Sequence, residues 1–246
     1  MILQPGPISK NRFKELIVSK LNKLKSLFFI LLFGLPVLVY FSFKFNWFSS
    51  GPSLNQNVLE SVARVNVEDG TGSAFLVSST KLITARHIAE VVPDGGTVTL
   101  DFLKSKSNIN GVLAKVLFIP SNPNNDYAVL ELLRPLNNVS TIPIGSSDNT
   151  AINDLITVIG YPSGLFSSTK GTISNNDLPE NNILMQLNAG AWPGNSGGPV
   201  LNESDEVIGI LIGGLEAELK GITFAIKIDA LLDDPEFKRS GIKLKN

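Results

Sequence analysis

The stretch Gly194-Asn195-Ser196-Gly197-Gly198-Pro199, lying downstream of the chain's only histidine, His87, decides how this sequence is read. A serine hydroxyl is a poor nucleophile at neutral pH and needs a base that titrates near neutrality, the range of histidine. Glycines around Ser196 let the backbone turn tightly, or left-handed, with no Cβ in the way. Such a loop can aim N–H groups at one point, as an oxyanion hole for acyl transfer requires. A plain turn between strands needs only Asn-Gly or Asp-Gly, so this string is more than a turn demands. Taken alone, His87 reads as a satisfied structural residue; paired with the serine loop it reads as the base.

A third group, a carboxylate that orients the imidazole, completes this chemistry. Asp126, in Asn124-Asn125-Asp126-Tyr127-Ala128-Val129-Leu130, stands at the mouth of an apolar strand, where it can be partly buried and accept a hydrogen bond. Its structural reading is an Asx-turn closing the preceding loop. Asp69, in Glu68-Asp69-Gly70, is the competitor and fits a turn between the first two strands better. Chain order separates the scaffolds. His before Ser excludes the α/β-hydrolase order of Ser, acid, His, and a subtilisin order of Asp, His, Ser would need Asp69. Gly160-Tyr161-Pro162-Ser163-Gly164 looks like a nucleophile elbow with its serine one place late. The order His87, Asp126, Ser196 is that of a double β-barrel.

The pattern from Val58 onward agrees. Short apolar or β-branched runs occur at Ser73–Val77, Lys81–Thr84, Thr97–Phe102, Gly111–Phe118, Tyr127–Leu132, Leu155–Ile159, Ile183–Leu187, Val207–Ile212 and Ile222–Ile226. Clusters such as Pro93-Asp94-Gly95-Gly96 and Ser121-Asn122-Pro123-Asn124-Asn125 separate them. Regular short strands of this kind predict an all-β barrel or sandwich. The fold expected is all-β, preceded by one transmembrane helix, and each half of the globular part, about 58–140 and 141–228, has enough strands for one small barrel. Ile228–Phe237 reads as a short C-terminal helix within a domain of 58–236, with 237–246 as a tail.

These segments make the chain resemble a trypsin-like (chymotrypsin-fold) serine peptidase of the HtrA (Deg) type. The resemblance runs through Thr71–Val77, Leu82–Ile88, Asn125–Leu130, Ile159–Gly164 with Thr169–Ser174, and Gln186–Val200 with Val207–Ile210 and Gly221–Ile226, nearly the whole region 70–228. It departs at Arg86, where a small or amide residue is more usual in the family. Asn195 replaces the aspartate of digestive-type proteases, as is usual in the HtrA type, so zymogen cleavage is not implied. The chain ends about twenty residues past the second barrel, so the family's C-terminal PDZ domain is expected to be absent. The resemblance implies two packed antiparallel six-stranded barrels, with Ser196 as nucleophile, His87 as general base and Asp126 as orienting acid. It implies an oxyanion hole in Gly194, Asn195 and Ser196, through the backbone N–H groups of Gly194 and Ser196. Gly190, beside Ala189 and Ala191, falls in the pocket floor. With no acid there, a small or medium apolar residue is expected before the scissile bond. The strand Ile210-Leu211-Ile212-Gly213 is expected to pair with an extended substrate backbone.

Composition narrows the partners. The 246 residues contain no cysteine and one histidine, which leaves no thiol chemistry and too few of the usual ligands for a zinc site; no metal or other cofactor is expected. Residues 1–50 hold seven Lys/Arg against one Asp/Glu, and residues 51–246 hold fourteen against twenty-one. The acidic globular part has no basic stripe interleaved with aromatics, so nucleic acid is not an expected partner. The basic run Lys10, Arg12, Lys14, Lys20, Lys23, Lys25 precedes an uncharged apolar run from Leu27 to Phe43. Extended to Phe48 past a snorkelling Lys44, it is long enough to span a bilayer. The basic flank places 1–25 in the cytoplasm, makes 26–48 a signal anchor and puts the domain outside, in the periplasm or at the cell exterior. A cleaved signal peptide is the alternative; its apolar core would be unusually long. Ser49-Ser50-Gly51-Pro52-Ser53-Leu54-Asn55-Gln56-Asn57 reads as a linker.

The function expected is a membrane-anchored serine endopeptidase cutting extended or unfolded protein through an acyl-enzyme, in extracytoplasmic quality control or regulated proteolysis. A catalytically silent HtrA-like binding or chaperone module is the alternative, and an esterase a third reading. Homo-oligomerisation is left open.

Overall fold

The structure is a computed structural model, and it describes residues 18–25, 54–68, 70–92, 96–178, 182–214 and 222–244. The chain divides into two compact units, 1–53 and 54–246. In the first, residues 18–25 are helical and exposed. The expected span 26–48 and the competing acid Asp69 lie outside the described residues. Among the described residues no helix is long and apolar enough to cross a membrane.

The second unit is two closed antiparallel barrels. The first is built from β1 (Val62–Val67), β2 (Gly70–Leu76), β3 (Lys81–Thr84), β4 (Thr97–Phe102), β5 (Ile109–Phe118) and β6 (Ala128–Leu132), in the order β1-β2-β3-β6-β5-β4. The second is built from β7 (Leu155–Gly160), β8 (Ser167–Asn175), β9 (Leu184–Asn188), β10 (Pro199–Leu201), β11 (Val207–Gly214) and β12 (Thr223–Lys227), in the order β10-β11-β12-β9-β8-β7. Closure leaves neither sheet an open edge.

The core follows from the two-residue period of the strands. Ala74, Leu76, Leu82, Ala128, Leu130 and Leu132 fill the first barrel. Their neighbours Phe75, Ile83 and Val129 point the other way, into a cluster shared with Ile159, Tyr161, Leu201, Ile210 and Ile226 of the second barrel. Strands β2, β3 and β6 are thus buried on both faces, which is why they read as unbroken apolar runs. Ile156, Val158, Ile173, Leu187, Val200 and Leu211 fill the second barrel.

Three strands escaped the apolar pattern. β1 pairs with both β2 and β4 and closes the first barrel, yet carries Arg64 and Asn66. β8 is mostly polar and partly exposed, and β10 is three residues long. The stretch read as linker ends in a helix, Gln56–Ser61, with the Asn55 side chain accepting from Asn57 N–H. The expected C-terminal helix is two helices, Ile228–Asp233 and Pro235–Ser240. Pro235 cannot continue the first but suits the first turn of the second, where Asp234 is the N-cap.

Three carboxylates tie these parts together. Asp229 Oδ2 accepts from Ser147 N–H at 2.6 Å, Ser147 Oγ at 2.8 Å, Ser146 Oγ at 2.9 Å and Asp148 N–H at 3.1 Å. Asp101 holds Arg64, Asn66 and Gly111 N–H, and Asp234 holds the last helix. Burial alone pushes each carboxyl up, but the hydrogen bonds outweigh it and leave all three below the ordinary 3.8. A carboxylate depressed in the folded state contributes stability above its unfolded value, and that contribution is lost as pH falls through the folded one. Unfolding free energy is therefore expected to stay level from pH 7 to pH 5 and to fall steeply below about pH 4. Urea titrations at pH 7, 5 and 3 measure this; a stability that rises towards pH 3 contradicts it.

Candidate active site

Strand pairing brings His87 and Asp126 together. β3 and β6 are antiparallel with Thr84 opposite Ala128. The chain leaving β3 and the chain entering β6 therefore meet at the same barrel end. His87 sits in the short helix Arg86–Ala89 that follows β3, and Asp126 two residues before β6. The carboxylate grips the histidine twice: Oδ2 is 2.7 Å from Nδ1, and Oδ1 accepts the His87 main-chain N–H at 3.0 Å. An ionised carboxylate only accepts, so Nδ1 is the donor to Asp126. The side chains are 40% and 23% exposed, leaving the ring accessible to a substrate.

The Ser196 loop is pinned from both barrels. Gly197 N–H donates to Leu211 O at 2.7 Å, and Leu211 N–H to Gly198 O at 2.9 Å. From the first barrel, Ser73 N–H donates to Ser196 O at 2.8 Å, and Ser73 Oγ to Gly194 O at 2.8 Å. Gly197 has φ +83, and a Cβ there would lie 2.2 Å from Ser73 O. Only glycine allows the two barrels to approach this closely behind the nucleophile. The Ser196 hydroxyl donates to Ile212 O at 3.5 Å.

Trp192–Asn195 forms a reverse turn closed by Asn195 N–H on Trp192 O at 2.9 Å. Pro193 in second place and Gly194 at φ +103 in third are the residues a type II turn asks for. The central carbonyl, Pro193 O, accepts from Ser163 N–H at 3.0 Å. The C=O and N–H of a trans peptide point opposite ways, so Gly194 N–H faces away from Ser163. The Ser163 turn is in turn bracketed by Arg64, which reaches Gly164 O at 3.3 Å while pairing with Asp101 at 2.7 Å. Of the three residues expected in an oxyanion hole, Asn195 has its N–H taken by this turn and its side chain buried.

The expected substrate strand is narrower than the sequence implies. Ile210 and Leu211 are fully buried in the two clusters, so their side chains face the core. The Leu211 backbone is occupied by Gly197 and Gly198, because β11 also carries the nucleophile loop. Between Leu211 and Gly213 the pairing with β12 shifts register. Ile212 and Gly213 are the members at the site; a Cβ on Gly213 would lie 3.9 Å from Ser196 Oγ. Gly190 is exposed with open space around it, and Ala191 is half-buried.

Sequence reasoning assigned no role to Ser73, Arg64 or Ser163. The signal for Ser73 is a hydroxyl on the buried run Ser73–Leu76 of β2. It serves four bonds, since its carbonyl also accepts Thr84 Oγ1 at 2.7 Å and its hydroxyl accepts Tyr161 N–H at 3.0 Å. Ser73→Ala strands Tyr161 N–H and Gly194 O, and is expected to cost about 2–3 kcal/mol in a denaturation titration. A loss below about 0.5 kcal/mol contradicts this account.

No group of three or more His, Asp or Glu suited to a metal occurs among the described residues. The fold thus carries a histidine clamped by a carboxylate at one end of the first barrel, and a serine on a glycine-rich loop bonded to both of two closed six-stranded barrels, the architecture of the chymotrypsin fold. A profile of the trypsin-like peptidase domain matches residues 72–210, more than half of the chain. The chain belongs to the trypsin-like serine peptidase family. It is 34% identical over 171 residues to the serine protease HhoB of Synechocystis, covering 65% of this chain and 38% of that protein. It is 30% identical over 178 residues to a DegP-like periplasmic serine endoprotease of Pseudomonas putida, covering 69% and 35%. The chain thus spans well under half the length of these relatives. Among solved structures, the HtrA-type protease AlgW with a tripeptide superposes with a TM-score of 0.61 at 27% identity, covering 74% of this chain and 62% of that one. The serine endoprotease of Yersinia pestis gives 0.60 at 27%, covering 78% and 69%.

Proposed function

We propose that this chain is a serine endopeptidase in which Ser196, His87 and Asp126 act as one catalytic unit on extended polypeptide. The observation that carries the reading is the double grip of Asp126 on the only histidine. Held through Nδ1 and its own backbone, His87 offers Nε2 as base. The Ser196 hydroxyl leaves Ile212 O, gives its proton to Nε2, and Oγ bonds to the substrate carbonyl carbon. The oxyanion is received by the N–H groups of Gly194 and Ser196, and the imidazolium is stabilised by Asp126. His87 then protonates the leaving amine, and water repeats the sequence to release the acyl group from Ser196.

With no acid among Ala189, Gly190 and Ala191, the residue before the scissile bond is read as small or medium and apolar. Ile212 and Gly213 supply the backbone beside it. Residues 1–25 are read as cytoplasmic and 26–48 as a membrane anchor, which puts the domain outside the cytoplasm. The basic flank supports this, as does the naming of relatives as periplasmic. The test is turnover of a reduced, unfolded protein against the same protein folded, with cut sites mapped by mass spectrometry. Cleavage of the unfolded form after small apolar residues supports the proposal. Turnover of simple esters with no peptide-bond cleavage overturns it in favour of an esterase.

A further inference from the structure

The residues on either side of Asp126 are held by one carboxylate from the far end of the chain. Asp234 stands at the break between the two C-terminal helices. Its Oδ1 caps the second, accepting Glu236 N–H at 2.6 Å and Phe237 N–H at 3.2 Å. Its Oδ2 accepts Asn125 Nδ2 at 3.0 Å and the Tyr127 hydroxyl. Tyr127 is fully buried and Asp234 nearly so. The same helix grips the loop at its start: Glu236 Oε2 accepts Ser121 N–H at 2.9 Å and Ser121 Oγ at 2.8 Å. Beneath, Phe237 meets Phe118 edge-on at 5.3 Å.

A helix cap alone does not explain this. Serine or asparagine caps as well as aspartate, with no second buried oxygen to satisfy. The tyrosine hydroxyl needs a partner in its apolar surroundings, and Asp234 supplies it. Both bonds to Oδ2 come from residues adjacent to Asp126. A loop approaching β6 would otherwise let the Asp126 carboxylate swing and lose one of its two bonds to His87.

We propose that Asp234 is a positioning residue for the reaction, fixing Asn125 and Tyr127 so that Asp126 presents both oxygens to His87. The proposal rests on the reading of His87 and Asp126 as base and orienting acid. Catalytic geometry tolerates errors of only about 0.5 Å, so a clamp on both neighbours of Asp126 bears on the imidazole through that carboxylate. Other charges border the pair. Arg86 and Glu90, on the His87 helix, pair with each other at 2.8 Å, and Arg86 also reaches Pro120 O at 2.9 Å. Glu236 is held by Ser121.

The single histidine makes the test direct. The full-length chain, labelled with 13C-histidine, gives one imidazole signal whose midpoint is followed by NMR between pH 4 and 9. Two variants dissect the clamp. Tyr127→Phe keeps the ring packing and the Asp234 charge but removes the hydroxyl. Asp234→Ser keeps an N-cap and removes the second grip. Both are expected to lower the His87 midpoint by about half a unit or more, because the imidazolium loses part of its partner. Peptide turnover is expected to drop about tenfold in kcat with KM within about twofold. If both variants keep the wild-type midpoint while their melting temperatures fall, Asp234 is only a structural residue and the proposal is overturned. A wild-type chain that hydrolyses nothing sinks the peptidase reading instead; the NMR midpoints still decide the clamp.

Discussion

Ser196→Ala is expected to lower kcat by about 10⁶ while leaving the fold intact. In subtilisin, an unrelated triad enzyme, removing the nucleophile costs as much as removing the whole triad, because the members act as a unit. The loss in stability is expected to be small. The hydroxyl makes a single long bond to Ile212 O, whereas the loop is held by backbone bonds from Ser73, Gly197 and Leu211 that alanine keeps. The measurement is kcat on a peptide substrate beside a melting curve. Retention of more than a hundredth of wild-type turnover by a pure sample would show that another group attacks the carbonyl.

Gly197→Ala is expected to produce the largest loss of stability among single substitutions near the site, about 4 kcal/mol or more. Two costs add. Its φ of +83 disfavours any Cβ, and that Cβ would meet Ser73 O at 2.2 Å, Thr84 Oγ1 at 2.3 Å and Ala85 N at 2.8 Å. All three belong to the first barrel, so relief requires the barrels to move apart. Gly111→Ala is the control: φ is +72 but nothing lies within 4 Å, so only the backbone term remains, about 1 kcal/mol. Gly190→Ala has neither cost and is expected to be neutral in stability. Denaturation midpoints for the three test the order; equal losses at positions 111 and 197 would show that the close barrel contact carries no energy.

Much of this was legible in the chain itself. The doubly buried strands β2, β3 and β6 announce themselves as apolar runs, and His87 and Asp126 sit just outside two of them. The glycines of the nucleophile loop are there because Ser73 O and Tyr161 O approach so closely. Other parts were hidden for physical reasons. β1 alternates, with Ala63 and Val65 buried and Arg64 and Asn66 between and after them, but it offers no unbroken apolar run, and β8 carries too many polar residues to show a period. The roles of Ser73, Arg64 and Asp234 depend on contacts between residues far apart in the chain, such as Tyr127 with Asp234. No local pattern marks such residues. Ile210 and Leu211 were placed beside the substrate because a strand next to the nucleophile invites it. In the fold their side chains fill the core and their backbones pair within the barrel, while Ile212 and Gly213 lie next to Ser196.

The central claim is that Ser196 is an activated nucleophile. The most direct measurement is labelling of the intact chain with a fluorophosphonate probe, the adduct mapped by mass spectrometry, with His87→Ala as control. The account predicts a single adduct on Ser196 that disappears in the control. A well-folded chain that takes up no probe, or that labels equally without His87, would contradict it and favour a binding module built on the same fold.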